Sequence, residues 1–104
     1  MDFLKMKEAL AQAAKMKEQM DRTMAETQVE ASSGGGMVTV RMNGRKIVQK
    51  LTIDPTAIAG TGPSEIEMLE DLVTAALNEA GRKVDEAMQS NVQGMLGGLN
   101  LPGL

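Results

Sequence analysis

The stretch GGGMVTVRMNGRKIVQKLTIDP, from Gly34 to Pro55, decides the fold. Two runs rich in β-branched residues flank Asn43-Gly44, and an Asn-Gly pair in that setting is a strong signal for a β-hairpin. Asp54-Pro55 ends the second run, because proline cannot donate to a sheet ladder. The stretch therefore predicts two antiparallel strands that meet at a two-residue Asn43-Gly44 loop.

This loop fixes an expected register, in which Val40 lies opposite Ile47 and Val38 lies opposite Gln49. One face of the hairpin is then apolar and is predicted to be buried: Val38, Val40, Met42, Ile47, Leu51 and Ile53. The other face carries Thr39, Arg41, Lys46, Val48, Lys50 and Thr52.

Arg41 and Lys46 face each other in this register, and like charges across a strand pair are destabilising. One interpretation is a solvated face with an acidic neighbour on another strand, such as Glu30. The other is a small basic surface that awaits an anion. The sequence favours the first without excluding the second.

Outward from the hairpin, residues 2–26 predict an amphipathic helix, and Glu26–Ser32 alternate in a manner typical of a strand. Gly34–Gly36 predict a flexible turn. They do not predict a phosphate loop, because no Lys-Ser/Thr follows them and a strand comes next. The helix predicted over residues 2–26 has an apolar stripe of Phe3, Met6, Leu10, Ala13, Met20 and Met24.

On the C-terminal side, Ser64-Glu-Ile-Glu67 resembles a capping box that opens a helix lasting to about residue 92. Arg82 points away from its apolar stripe and Lys83 lies at the border. This stripe is predicted to cover the apolar face of the sheet, and it consists of Ile66, Leu69, Val73, Ala76, Leu77, Ala80, Val84 and Ala87.

The element order is thus α-β-β-β-α, an α+β fold with a three-stranded antiparallel sheet and two long helices. Residues 1–93 are expected to form a single domain. Residues 94–104 carry no charged side chain and many glycines, and they predict a flexible apolar tail rather than a helix.

The composition argues against an enzyme. The 104 residues include no Cys and no His, which removes a cysteine nucleophile, the usual general base and the commonest metal ligand. Chemistry by lysine, serine or carboxylates remains open. We therefore predict no catalytic residues, no metal, no cofactor and no small-molecule substrate. No segment approaches the roughly 20 apolar residues of a membrane span, so a cytoplasmic protein without membrane contact is expected.

The net charge of −3 hides an uneven distribution. Residues 1–24 hold five basic and four acidic side chains, whereas residues 61–104 hold two basic and seven acidic ones. A nucleic-acid-binding chain is expected to show a basic patch or stripe, so charge alone gives that function little support.

Three segments together resemble the YbaB/EbfC family of bacterial nucleoid-associated DNA-binding proteins. They are the Met- and Lys-rich opening from Met6 to Met20, the Gly34–Pro55 hairpin, and Glu67–Ala80 with its Gly97–Leu104 ending. The resemblance implies a tweezer-like homodimer that binds double-stranded DNA with loose sequence preference in the nucleoid, alters DNA conformation, and influences nucleoid organisation and gene expression.

In that family the helices are expected to contact DNA, and basic side chains of the hairpin are added here as further candidates. The candidate DNA-binding residues are Lys7, Lys15, Lys17, Arg22, Arg41, Lys46, Lys50, Arg82 and Lys83. Several lie near acidic residues, and exposed ion pairs contribute little. An alternative function is a protein–protein interaction module for a DNA repair or replication partner, with incidental DNA affinity, because methionine-rich surfaces suit adaptable interfaces.

Overall fold

The computed structural model describes residues 2–58, 60 and 62–98, the last four by their backbone alone. The predicted element order and fold class are confirmed. The elements are α1 (Phe3–Glu26), β1 (Gln28–Ser33), β2 (Val38–Asn43), β3 (Val48–Ile53), a 3₁₀ turn (Pro55–Ala57) and α2 (Pro63–Gly98).

Helix α1 makes few contacts with the rest of the chain. Asp2 caps it by accepting from the Leu4 N–H at 3.3 Å, and no residue of α1 is buried. The predicted apolar stripe lies in solvent within one chain, with Phe3 73% exposed and Leu10 66% exposed. A stripe of this kind ordinarily marks the face of a helix that packs against something else.

The three strands form an antiparallel sheet in the order β1-β2-β3. The predicted hairpin register is wrong: Val40 lies opposite Leu51 rather than Ile47, and Val38 lies opposite Ile53 rather than Gln49. The error is four residues, an even number, so both pairs keep their predicted face. Arg41 consequently lies opposite Lys50 instead of Lys46.

The side chain of Asn43 explains the longer loop. Its Oδ1 accepts from the backbone N–H of Arg45 at 2.9 Å and of Ile47 at 3.1 Å, and Lys46 adopts a left-handed conformation. Gly44 is engaged elsewhere, because its N–H donates to the Met24 carbonyl at 2.8 Å. The loop therefore spans residues 44–47. Ile47, predicted to be buried, is exposed in this loop.

The irregularity continues into β3. The ladder shifts between Arg41 and Met42, which places Val48 opposite Met42. Val48 therefore shares the face of Met42, although the sequence placed it on the polar face. Leu51, predicted to be buried, is 44% exposed.

The core lies between α2 and the first two strands. The buried cluster comprises Ala31, Val38, Val40, Met42, Ala76, Ala80 and Val84. Leu69, Val73 and Leu77 pack against it from the same stripe of α2, so the prediction that α2 covers the apolar face of the sheet is confirmed for β1 and β2. It is wrong for Ile66, which belongs to the predicted stripe but is 49% exposed near the start of the helix. Contact between α2 and β3 is slight, which leaves β3 open.

Both ends of α2 differ from the prediction. The helix begins at Pro63, where a missing N–H costs nothing. The Ser64 hydroxyl donates to Glu65 Oε2 at 3.1 Å instead of accepting from the Glu67 amide, so the capping box is wrong. The helix also continues to Gly98, through positions 94–98 of the predicted tail. Residues 99–104 lie outside the described part of the chain.

The two helices extend beyond the same end of the sheet. The C-terminal turn of α1 contacts Gly44 in the β2–β3 loop. Lys46 of that loop pairs with Asp85 of α2 at 2.9 Å. Beyond Asp85, α2 runs on for 13 residues, or about 20 Å. The described chain measures 70 × 27 × 17 Å, an elongated shape for its size.

The contact between Gly44 and Met24 should be intolerant of a larger side chain. A Cβ on Gly44 would lie 2.6 Å from the Met24 carbonyl oxygen, whereas one on Gly81 would meet nothing within 4 Å. We expect Gly44→Ala to destabilise the protein by roughly 1–3 kcal/mol, because helix backbone must move. Gly81→Ala, the control, should be neutral or stabilising, since alanine favours helix. Urea denaturation followed by circular dichroism measures both, and equal stability of the two variants would contradict this role of Gly44.

Candidate nucleic-acid interface

The first group of candidate residues lies on α1. Lys7, Lys15, Lys17 and Arg22 are all exposed, and none is in an ion pair within the described residues. Lys15 and Arg22 are seven residues apart, so they share one face with a rise of about 10 Å between them. This spacing lets both cations reach phosphates along one backbone.

The acidic Glu18 lies on the same face of α1, three residues after Lys15 and four before Arg22. Residues at those spacings are neighbours on a helix. No salt bridge joins Glu18 to either cation in the part of the chain that is described. Lys17 differs from the other cations, because its seven-residue spacing from Leu10 places it within the apolar stripe.

The second group lies on the face of the sheet opposite α2. A shallow groove of about 230 Å³ is lined by Glu30, Thr39, Arg41, Lys50 and Thr52. The Arg41 guanidinium lies 3.6 Å from the Glu30 carboxylate. The predicted acidic neighbour is therefore present, but Arg41 and Lys50 still place two cations side by side.

The third group is bound to other parts of the chain. Lys46 pairs with Asp85, and Arg82 pairs with both Glu79 and Glu86. The Lys83 ammonium donates to the Glu30 carbonyl oxygen at 2.8 Å, across the edge of β1.

The carboxylates of Glu79 and Glu86 form ion pairs with the Arg82 guanidinium. Hydrogen bonds from Arg82 lower the pKa of the Glu79 carboxyl, and the charge of Lys83 adds to the effect. The same hydrogen bonds raise the pKa of Arg82. Lys46 and Arg82 are thus less available to an external phosphate than Lys15 and Arg22 are.

Two further basic residues lie on or beside α1 and were not among the candidates from the sequence. Lys5 lies exposed on α1, and the Arg45 guanidinium donates to the Asp21 carbonyl at 3.5 Å near the base of that helix. Lys5 could have been found from its place in the amphipathic helix. Arg45 could not, since its position depends on the four-residue loop.

Within the described ranges, no group of three His, Cys, Asp or Glu side chains could hold a metal ion. No helix of that part is long and apolar enough to cross a membrane.

Comparison with known proteins identifies the relatives of this chain. Residues 1–99 match the sequence profile of the YbaB/EbfC DNA-binding family. A nucleoid-associated protein of Acidobacterium capsulatum is 57% identical, with 98% of this chain and 96% of the relative covered. A nucleoid-associated protein of Koribacter versatilis is 50% identical, with 92% of each covered.

The fold also has a counterpart among solved structures. The crystal structure of uncharacterized protein HP0035 from Helicobacter pylori superimposes with a TM-score of 0.74 at 28% identity. The match covers 92% of this chain and 98% of that one. The arrangement of two long helices and a small sheet is therefore shared with a protein whose sequence is largely different.

The Arg82 cluster gives a pH test. Glu79 has a lowered pKa, so its contribution to stability is present above the ordinary carboxyl range and is lost as the pH falls through the folded pKa. In Arg82→Gln we expect the pKa of Glu79 to rise toward its ordinary value, as measured by an NMR pH titration of the carboxyl carbon. Arg22→Gln is the control and should leave Glu79 unchanged. An unaltered Glu79 titration in Arg82→Gln would contradict the pairing.

Proposed function

The chain belongs to the YbaB/EbfC DNA-binding family, and on that premise we propose that it binds duplex DNA as a homodimer in the nucleoid. The binding is phosphate-dominated and has low sequence preference, and it alters DNA conformation and so influences nucleoid organisation and gene expression. The single observation that supports this proposal best is α1, a solvated helix that combines exposed cations with an uncovered apolar stripe.

The apolar stripe of α1 supports the dimer. A 24-residue helix with no buried residue has few contacts to stabilise it within one chain. Large exposed apolar side chains on a soluble protein mark a surface for association. A second copy of the chain brings the same stripe and can cover it, as closed homodimers do with a shared surface patch.

Strand β3 supports the same conclusion independently. Val48 and Leu51 lie on the apolar face of the sheet, next to the buried Met42 and Val40, but α2 does not extend over them. The core is therefore continuous with an exposed apolar surface. Covering this surface with a second copy would extend the core across the dimer.

The charges of α1 support DNA as the ligand. A dimer has two α1 helices, so Lys15 and Arg22 contribute four cations in place of two. Each neutralised phosphate releases condensed counterions, which makes such binding favourable at low salt and weak at high salt. The net charge of −3 per chain does not prevent it, because half of the 14 acidic residues lie on α2, away from these positions.

Low sequence preference follows from the kind of contact. Lysine and arginine bound to phosphate oxygens position a protein on DNA but carry no direct sequence information. The three strands separate the two helices, so the described fold contains no helix-turn-helix. Shape and charge of the duplex are then the main determinants of binding.

The dimer is tested at β3. Leu51→Glu places a charge on the apolar surface. Thr52→Glu is the control, because it adds the same charge at the next residue of β3, whose side chain lies on the opposite face of the sheet. Each lost leucine contact is worth about 1.5–3 kcal/mol and occurs twice per dimer, so Leu51→Glu should raise the dimer dissociation constant about a hundredfold or more. Thr52→Glu should remain dimeric.

Analytical ultracentrifugation over a concentration series measures both variants, with circular dichroism to confirm folding. A monomeric wild-type protein at all concentrations would overturn the homodimer. A dimeric, folded Leu51→Glu variant would show that the second copy binds elsewhere.

DNA binding is tested on α1. We compare Lys15→Gln/Arg22→Gln with Lys46→Gln/Arg82→Gln, which removes the same formal charge from residues already in ion pairs. The first variant should bind a labelled duplex more weakly, with a slope of log K against log salt that is shallower by about one for each lost phosphate contact. The control should stay close to wild type.

Fluorescence anisotropy across a salt series gives these slopes. Equal losses in the two variants would mean that overall charge, rather than α1, determines affinity. No binding by the wild-type protein even at low salt would overturn the DNA proposal and favour the protein-partner alternative.

A further inference from the structure

The groove on the outer face of the sheet is separate from the α1 cations and from the apolar surfaces of the proposed dimer. Its five lining residues alternate along β1, β2 and β3, so their side chains share the face away from α2. Its volume of about 230 Å³ equals that of roughly eight water molecules. This space is sufficient for a phosphate group.

The groove holds an excess of positive charge. Arg41 and Lys50 lie directly opposite each other in the β2–β3 ladder, a placement that is unfavourable for like charges unless an anion lies between them. Lys50 has no carboxylate within 4 Å among the described residues. Lys83 lies at the edge of β1, where it donates to the Glu30 carbonyl, and does not line the groove.

Glu30 is the one acidic residue that lines this groove. Its carboxylate lies 3.6 Å from the Arg41 guanidinium, which is longer than a normal hydrogen bond. The two side chains are 61% and 47% exposed, and ion pairs this exposed contribute little free energy. The Lys46 and Arg82 pairs are also exposed, but their atoms lie within hydrogen-bond distance, as at 2.9 Å for Lys46 and Asp85. Arg41 lacks such a short contact with Glu30, so it can exchange Glu30 for another anion at smaller cost.

Two hydroxyls complete the set of donors. Thr39 and Thr52 lie directly opposite each other, two residues along the ladder from Arg41 and Lys50. A threonine hydroxyl can donate one hydrogen bond, and a guanidinium donates several in a fork that matches a phosphate. Guanidinium, ammonium and two hydroxyls around one space form a donor set suited to phosphate oxygens.

We propose that this groove binds a phosphate oxyanion, either a phosphodiester of bound DNA or a free polyphosphate, and that the Glu30 carboxylate competes with it for Arg41. Arg41 and Lys50 hold the anion, and Thr39 and Thr52 orient it. Glu30 sets the affinity by occupying Arg41 when the groove is empty. The groove depends on the proposed DNA binding only in that DNA is one of the two possible sources of the phosphate.

The test is an NMR titration of the full chain with inorganic pyrophosphate and, separately, with a short duplex. Saturable shifts are expected at the amides of Thr39, Arg41, Lys50 and Thr52 with both probes. Glu30→Gln should tighten pyrophosphate binding roughly two- to five-fold, the range expected when a weak ion pair is removed. Glu67→Gln, which removes the same charge from α2, should not. Arg41→Gln/Lys50→Gln should abolish the shifts.

The outcomes separate this site from the proposed function. Groove shifts with both probes support the proposal with DNA as a source. Groove shifts with pyrophosphate but not with the duplex support the groove, with a free polyphosphate as its ligand. Duplex binding that shifts only α1, with no saturable pyrophosphate shifts in the groove, would overturn the groove and leave the DNA proposal standing. Equal pyrophosphate affinity in Glu30→Gln and Glu67→Gln would overturn the competitive role of Glu30.

Discussion

The packing of α2 on only two of the three strands constrains the rest of this molecule. Small residues at Ala76 and Ala80 are fully buried against the sheet, where Val38 and Val40 are also fully buried. This close contact fixes α2 over β1 and β2. Few apolar side chains of the same chain remain to cover β3 or α1. The single chain therefore buries a narrow core and leaves two apolar surfaces in solvent. A small domain of this kind gains from association, because its own core is limited.

The same constraint separates the functional surfaces. One side of the sheet is occupied by α2, so the polar outer face is free to present Arg41 and Lys50. The β2–β3 loop contacts both helices and brings them out at one end of the sheet. The cations of α1 are thereby held away from the acidic first turns of α2, which begin at the other end. Placement of charge, rather than its total, makes an acidic chain compatible with binding an anion.

Ion pairs divide the nine candidate residues into unequal classes. Lys46 and Arg82 lie against carboxylates of α2, whereas Lys15 and Arg22 lie on an exposed helix whose acidic neighbours do not pair with them within the described residues. The sequence could make only part of this distinction. Arg82 and its partners are close along one helix and could have been paired from their spacing, but Lys46 and Asp85 meet only because the loop folds onto α2.

The sequence by itself determined the element order, the fold class and the buried stripe of α2 apart from the exposed Ile66. These depend on local periodicity, on proline and glycine positions, and on alternation along strands. It also determined which residues of β2 face inward, because side chains alternate between the two faces along a strand whatever its partner's register. The family resemblance was likewise present in the motifs of the chain.

Only the tertiary structure decided the register of the hairpin, the exposure of α1 and the groove on the outer face. Asn43-Gly44 predicts a two-residue turn, but Gly44 is needed for close contact with Met24, and the Asn43 side chain stabilises a longer loop. Because of that loop, the residue opposite Arg41 in the ladder is Lys50 rather than Lys46, which places these two cations side by side. Local preference was overridden by a contact between residues about 20 positions apart, and no short-range pattern encodes such a contact.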